Sequence, residues 1–79
     1  MTPLNQTEEP NTQVLRFLRC RKTGRYYRSG HWTRNCIEAN TFSEVVDALR
    51  VCARHRLRHV ELALRVEGAA SDLFRVPLR

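Results

Sequence analysis

The pattern of apolar and polar positions changes period along the chain, and each period predicts a different element. Apolar and basic residues are mixed at close to every second position across Val14–Cys20, and Val60, Leu62, Leu64 and Val66 alternate with Glu61, Ala63 and Arg65 without a fault. Between these segments, residues 42–55 follow a period close to 3.6. A period of two is typical of a strand, and the longer period is typical of an amphipathic helix. The sequence therefore predicts a strand, a helix and a second strand, in that order.

A hairpin is predicted directly after the first strand. Residues 22–25 have the composition of a turn, in which Gly24 supplies the positive φ that a tight hairpin demands. Residues 26–28 would form the return strand, which Ser29-Gly30 would end, and residues 31–33 would extend the sheet after a kink. The adjacent apolar pair Phe17-Leu18 breaks strict alternation in the first strand, and we interpret it as a bulge.

The helix is predicted to start with a capping box over residues 41–44, where Thr41 and Glu44 would satisfy each other's backbone amides. Its predicted buried stripe consists of apolar residues at helical spacing: Phe42, Val45, Val46, Leu49, Cys52 and Ala53. Acidic residues near the start and basic residues near the end suit the helix dipole. The helix is expected to end near His55.

The order of elements predicts an α+β fold. After the strand at Val60–Val66, residues 67–72 form a loop around Gly68, and residues 73–78 form a short last strand that Pro77 would confine to an edge. We expect a two-layer sandwich: a small antiparallel-rich sheet in the order β-β-α-β, with a further short edge strand and one helix on one face. The other face would be open. Residues 1–12 are predicted to be a disordered tail, and residues 13–79 a single domain.

One block of the sequence resembles short uncharacterised bacterial and phage proteins. The block has a Gly-x-Tyr … Trp-Thr … Ala-x-x-Phe arrangement, in which the matching residues are Gly24, Tyr26, Trp32, Thr33, Ala39 and Phe42. The resemblance covers residues 14–66. It agrees with the predicted fold and implies no activity.

The formal net charge of +6 favours an anionic partner. It is carried by thirteen arginines and one lysine against eight acids, and an excess of this size attracts phosphate-rich or acidic molecules. A GC-rich genome is an alternative explanation of the ratio of arginine to lysine, although it does not explain the net charge. The chain lacks an apolar run of membrane-spanning length or a signal-peptide pattern, and its three cysteines are an odd, widely spaced set. We therefore expect a cytoplasmic protein without a membrane partner.

The predicted site is a basic, aromatic surface in the first half of the chain. Between Pro10 and Ile37 there is no acidic residue. Arginines that follow a phosphate backbone, next to rings that stack on bases, are the two ingredients of single-stranded nucleic-acid binding. The candidate residues are Arg19, Arg21, Arg25, Tyr27, Arg28 and Trp32. The structural alternative is a solvated strand face whose aromatic residues cover the sheet.

We expect a small non-enzymatic binding domain for an anionic partner, with single-stranded nucleic acid as the first candidate. The alternative is a protein-interaction or homodimerisation domain. A second basic patch, Arg54, Arg56 and Arg58 with His55 and His59, follows the helix; its simplest role is to complement the helix dipole. The spacing Cys52-x-x-His55-x-x-x-His59 raises the question of zinc, but the paired cysteines of a typical zinc site are missing. We expect no metal, no other cofactor and no catalytic residues.

Overall fold

A computed structural model describes residues 13–79, and these residues form an antiparallel sheet of five strands with one helix. The α+β class is confirmed. The elements are β1 (Val14–Cys20), β2 (Tyr26–Arg28), β3 (His31–Thr33), α1 (Val45–His55), β4 (Val60–Val66) and β5 (Phe74–Pro77). The strands lie in the order β3-β2-β1-β4-β5. The tail predicted over residues 1–12 lies outside the described residues.

Two successive hairpins build the first half of the sheet. Gly24 has the predicted positive φ, 77°, in the turn between β1 and β2. The predicted kink at Ser29-Gly30 is instead a tight turn, because both residues are left-handed, with φ of 44° and 96°. This turn folds β3 back against β2, so that Trp32 lies opposite Tyr27. Three strands therefore precede the helix, and not two as predicted.

The predicted bulge at Phe17-Leu18 is wrong. β1 pairs with β4 in one unbroken register from Val14 opposite Val66 to Cys20 opposite Val60. Phe17 and Leu18 point to opposite faces of the sheet, and both are buried. Two adjacent apolar residues thus indicate a strand with apolar contacts on both faces. The predicted bulge followed from the assumption that only one face is buried.

The predicted capping box is also wrong. The helix begins at Val45, its N-cap is Glu44, and no side chain makes a capping hydrogen bond. The residues assigned to the box belong to an extended segment that bridges two strands. In this segment Asn40 donates its backbone N–H to Tyr27 O, and Phe42 donates its own to Arg16 O. The chain therefore starts the helix three residues later than the Thr41 hydroxyl would require.

The helix packs on the sheet through a different face from the predicted one. Ala48 and Cys52 are buried, whereas Val45, Val46, Leu49 and Ala53 are exposed. The buried side is turned from the predicted stripe by about one residue's rotation, roughly 100°. Most of the apolar stripe that the sequence assigned to the core therefore faces solvent. We call its exposed residues, Val45, Val46, Leu49 and Ala53, the apolar helix stripe.

The helix covers one face of the sheet and forms the helix-side core. This core consists of Leu18, Tyr27, Ala48, Cys52, Val60 and Leu62, and the half-buried Trp32 and Phe42 pack against it. Ala48 has no exposed surface, and its small side chain lets the helix approach the strands closely. His55, in the last turn, lies 6.2 Å from the ring of Tyr27.

The prediction of an open second face is wrong. Phe17, Tyr26, Ala39 and Ala63 form a second core there, with Leu15 and Cys36 packed against it. The cover consists of irregular chain: the segment after β3 supplies Cys36 and Ala39, and the loop before β5 supplies Asp72, which bonds to Tyr26. Neither segment has a regular hydrophobic period, so the sequence pattern does not predict that they pack against the sheet.

The last strand lies where it was predicted. β5 pairs only with β4, with Val76 opposite Leu62, and it holds Pro77 at the edge of the sheet. Within residues 13–79, no helix has the length and apolar character needed to cross a membrane.

Candidate anion-binding pocket

Three separate segments of the chain meet at one end of the sheet because of the strand register. Cys20, the last residue of β1, lies opposite Val60, the first residue of β4. Arg21 consequently donates its backbone N–H to His59 O at 2.7 Å. On the other side of β4, Leu78 and Arg79 both donate N–H groups to Val60 O, at 3.0 and 3.2 Å. The residues just beyond β1, before β4 and beyond β5 are therefore neighbours.

These three segments form an open pocket of about 300 Å³, lined by Arg21, Arg58, His59 and Arg79. We call it the basic pocket. Its volume lies at the small end of the range for ligand sites. The guanidinium of Arg21 donates to the main-chain oxygen of Arg79 at 2.8 Å, which holds the Arg21 side chain across the junction of β1 and β5.

The connection from the helix to the pocket contains two strained residues. Arg56 ends the helix in the left-handed conformation with φ of 53°. Its backbone N–H donates to Ala53 O, and the N–H of Leu57 donates to Cys52 O. His59 is also left-handed, with φ of 58°. Residues other than glycine rarely adopt this conformation, and it costs about 1 kcal/mol or more at each position. The strained turn directs the chain so that Arg58 and His59 both line the pocket.

The arginines that line the basic pocket belong to the larger group of arginines that form no ion pair among residues 13–79. The ion pairs among residues 13–79 involve Arg19, Arg50, Arg65 and Arg75, each bonded to a carboxylate of Asp47, Glu61 or Asp72. None of these pairs includes a residue that lines the pocket. Guanidinium groups gathered in a concave site without a paired side-chain carboxylate attract an anion, and their planar fork suits phosphate or carboxylate oxygens.

The structure brings one predicted site residue, Arg21, into the basic pocket and places the other arginines elsewhere. Arg19 is bonded to the buried Glu61 on the second face. Arg25 lies in the turn before β2, and Arg28, at the other end of β2, donates to Glu38 O. The predicted arginines therefore do not form one continuous surface.

Tyr27 lies in the helix-side core and Trp32 packs against that core, so neither ring is fully exposed for base stacking. Tyr27 is only 4% exposed, and its ring meets that of Trp32 edge-on at 5.6 Å. Trp32 is half-buried against the same core. Tyr26 is also buried, at 8% exposure, on the opposite face. A base cannot stack on a ring that the helix or a loop already covers.

The pocket joins residues from both basic patches that the sequence showed. Arg58 and His59 belong to the patch after the helix, for which we predicted a dipole role, and Arg21 belongs to the first patch. Arg79 was not considered. The pairing of β1 and β5 with β4 would have predicted that the pocket residues lie together, because residues that flank paired strand ends must be neighbours.

The residues of the zinc pattern are separated by the fold. Cys52 is fully buried in the helix-side core, His55 lies against Tyr27, and His59 lines the basic pocket. Burial raises the pKa of the Cys52 thiol. Within the described part of the chain, no three histidine, cysteine or acidic side chains are grouped as metal ligands would be.

The chain matches no protein-family model, no curated protein and no solved structure. The pocket is therefore interpreted on its own chemistry.

Proposed function

We propose that this protein is a small non-enzymatic binding domain whose ligand is the phosphate backbone of a single-stranded nucleic acid, held at the basic pocket. One observation carries the proposal: Arg21, Arg58, His59 and Arg79 converge on one cavity although they come from three segments of the chain. The net charge of +6 adds a long-range attraction that raises the rate of encounter with a polyanion.

The concave shape of the site favours a flexible strand over a duplex. A phosphate of a regular duplex is fixed on a convex helical surface, whereas a single strand can bend so that one phosphate enters a pocket. Since the ring of Tyr27 is covered and that of Trp32 is half-buried, affinity would come mainly from charge and hydrogen bonds, and base sequence would matter little. The role proposed for the aromatic residues from the sequence is therefore left out.

The test is fluorescence anisotropy with a labelled single-stranded oligonucleotide at several salt concentrations. One phosphate held at the pocket predicts a slope of log affinity against log salt of about −0.7. Arg58→Gln should reduce that slope and weaken binding roughly five-fold, which corresponds to about 1 kcal/mol for one charged contact. Arg50→Gln is the matched control, because it removes the same charge from an exposed helix position that does not line the pocket.

The two variants separate a site from general electrostatic attraction. If Arg58→Gln and Arg50→Gln weaken binding equally, only the net charge matters and the pocket is not the site. If the wild-type protein forms no complex even at low salt, the proposed function is wrong.

A second candidate function is self-association through the apolar helix stripe. Val45, Val46 and Leu49 are each at least 40% exposed, although their spacing is that of a buried helix face. The occupant that fits is a second copy of this chain, with the two helices antiparallel about a two-fold axis. In that arrangement the acidic start of one helix, at Asp47, lies beside the basic end of its partner, at Arg54.

Light scattering over a range of protein concentrations tests the second candidate. We expect the wild-type protein to reach the mass of a dimer and Leu49→Glu to stay a monomer, because the substitution places a charge at the centre of the stripe. A wild-type protein that remains a monomer at high concentration rules this candidate out, and it leaves the proposal for the basic pocket unaffected.

A further inference from the structure

The basic pocket is a site for one anionic group and not a groove for a length of backbone. Its lining comes from the ends of three segments, at Arg21, at Arg58-His59 and at Arg79, and its volume is about 300 Å³. A groove that followed several phosphates would need basic residues along the length of a strand or helix. Along β1, Arg19 is bonded to Glu61, which leaves Arg16 as the only arginine of that strand outside an ion pair. The basic pocket, in contrast, brings three arginines together at one end of the sheet.

The three arginines that line this cavity suit an anion with more charge and more free oxygens than an internal phosphate offers. An internal phosphodiester carries one negative charge and two free oxygens, and sugars flank it on both sides. A terminal phosphomonoester carries nearly two charges and three free oxygens. Each guanidinium offers a planar fork of N–H groups, and one Nη of Arg21 is already used by the main-chain oxygen of Arg79. Arg58 and Arg79, with the remaining donors of Arg21, can surround three oxygens from separate directions.

From this geometry we propose that the basic pocket recognises the terminal phosphate of a nucleic-acid strand. This inference rests on the proposed function, and it adds that the strand end, and not its interior, is the preferred ligand. Arg58 and Arg21 are the specificity-determining residues. His59, whose backbone is left-handed, lines the same cavity.

The experiment compares three forms of one single-stranded oligonucleotide, which carry a 5′-phosphate, a 3′-phosphate or hydroxyl groups at both ends, with a label at an internal base. We expect one phosphorylated form to bind about ten-fold more tightly than the hydroxyl form, and the two phosphorylated forms show which end is read. Inorganic phosphate should compete with that form at lower concentration than chloride does. Arg58→Gln and Arg21→Gln should each reduce the ten-fold preference to less than about three-fold, whereas Arg50→Gln should leave it unchanged. Circular dichroism checks that each variant is folded.

The outcomes distinguish this inference from the proposed function. If all three forms bind equally and Arg58→Gln still weakens binding more than Arg50→Gln, the end preference is wrong and the phosphate-backbone proposal stands. If the preference is present but survives both pocket substitutions, the terminal phosphate is read elsewhere and the inference is overturned. If no form binds at low salt, both proposals fail.

Discussion

Replacing Asp72 by asparagine should strongly destabilise the fold, because this carboxylate holds together the cover of the second face. Its side chain is 1% exposed and forms an ion pair with Arg65 at 2.8 Å. The hydroxyl of Tyr26 and Nε of Arg75 also donate to it, both at 3.1 Å. An asparagine keeps one oxygen but presents an NH₂ group to donors. Arg65, whose side chain is 12% exposed, would lose its counter-ion.

The size of the effect follows from the burial of Arg65. Leaving one charge of a buried pair without its partner costs about 3–5 kcal/mol. We expect the low end, about 3 kcal/mol, because Arg65 keeps its hydrogen bond with Tyr26 and lies 5.9 Å from the ring centre of Phe17. In a domain of this size, such a loss lowers Tm by about 12 to 24 °C.

Urea and thermal unfolding, followed by circular dichroism, measure the loss. Asp47→Asn is the matched control, since Asp47 pairs with Arg50 at 3.4 Å on an exposed helix surface and should cost less than about 1 kcal/mol. A loss in Asp72→Asn no larger than that of the control would refute the view that Asp72 fastens the loop before β5 onto the sheet.

The same carboxylate makes stability depend on pH with a defined sign. Burial alone would raise the pKa of Asp72, but hydrogen bonds from Arg75, Arg65 and Tyr26 outweigh it and hold the pKa below its usual value. A lowered pKa contributes stability that is present above about pH 4, where the unfolded residue is ionised, and is lost as the pH falls through the folded pKa. The difference in unfolding free energy between the wild-type protein and Asp72→Asn should therefore shrink below about pH 4. A difference that grows there contradicts the assignment.

Three further predictions concern local structure. In the folded protein a thiol reagent should modify Cys20 before Cys52. Burial raises the pKa of the Cys52 thiol, whereas at Cys20 the same effect of burial is outweighed by hydrogen bonds from Thr23 and Lys22, which lower the pKa. Labelling of single-cysteine variants measures the order, and a Cys52 that reacts first would contradict this prediction. Thr41→Ala should change the unfolding free energy by less than about 0.3 kcal/mol, and a loss near 1 kcal/mol would restore the capping box. Gly24→Ala should lower the free energy of unfolding more than Gly68→Ala. Both glycines have positive φ, but only at Gly24 would a Cβ meet the Arg19 guanidinium, at 2.9 Å. Equal losses of unfolding free energy in urea would contradict this contact.

The elements that local pattern predicts well are those whose residues act on their immediate neighbours. The alternation over Val60–Val66 and the glycine of the first hairpin depend on adjacent residues, and both predictions are confirmed. The helix was predicted to end near His55, as it does, but its start was placed too early. Phe42 has the right spacing for the predicted helix stripe, yet its backbone N–H donates to the carbonyl oxygen of Arg16 in β1. A contact between distant parts of the chain overrode the local signal there.

The face predictions failed because they assumed a sheet with one covered side. Adjacent apolar residues such as Phe17 and Leu18 indicated that both faces are covered, since each face of the strand buries one of them. The pair Tyr26-Tyr27 indicates the same, because the two rings belong to different cores. Arg19 was predicted to belong to an exposed basic surface, but it pairs with Glu61 on the second face, where Arg65 also pairs with Asp72. Which arginine is paired depends on the positions of Glu61 and Asp72 after folding, and the sequence alone does not contain that information in readable form.

The most direct test of the basic pocket is a titration of ¹⁵N-labelled protein with an unlabelled single-stranded oligonucleotide, followed by the backbone amide resonances. The binding surface proposed above predicts that the shifts concentrate at Arg21, Arg58, His59 and Arg79, whose amides flank the cavity. Amides of the second core, such as Phe17 and Ala63, should stay unchanged. Shifts centred on β3 and residues 34–40, or spread evenly over the domain, would contradict a single site at this end of the sheet.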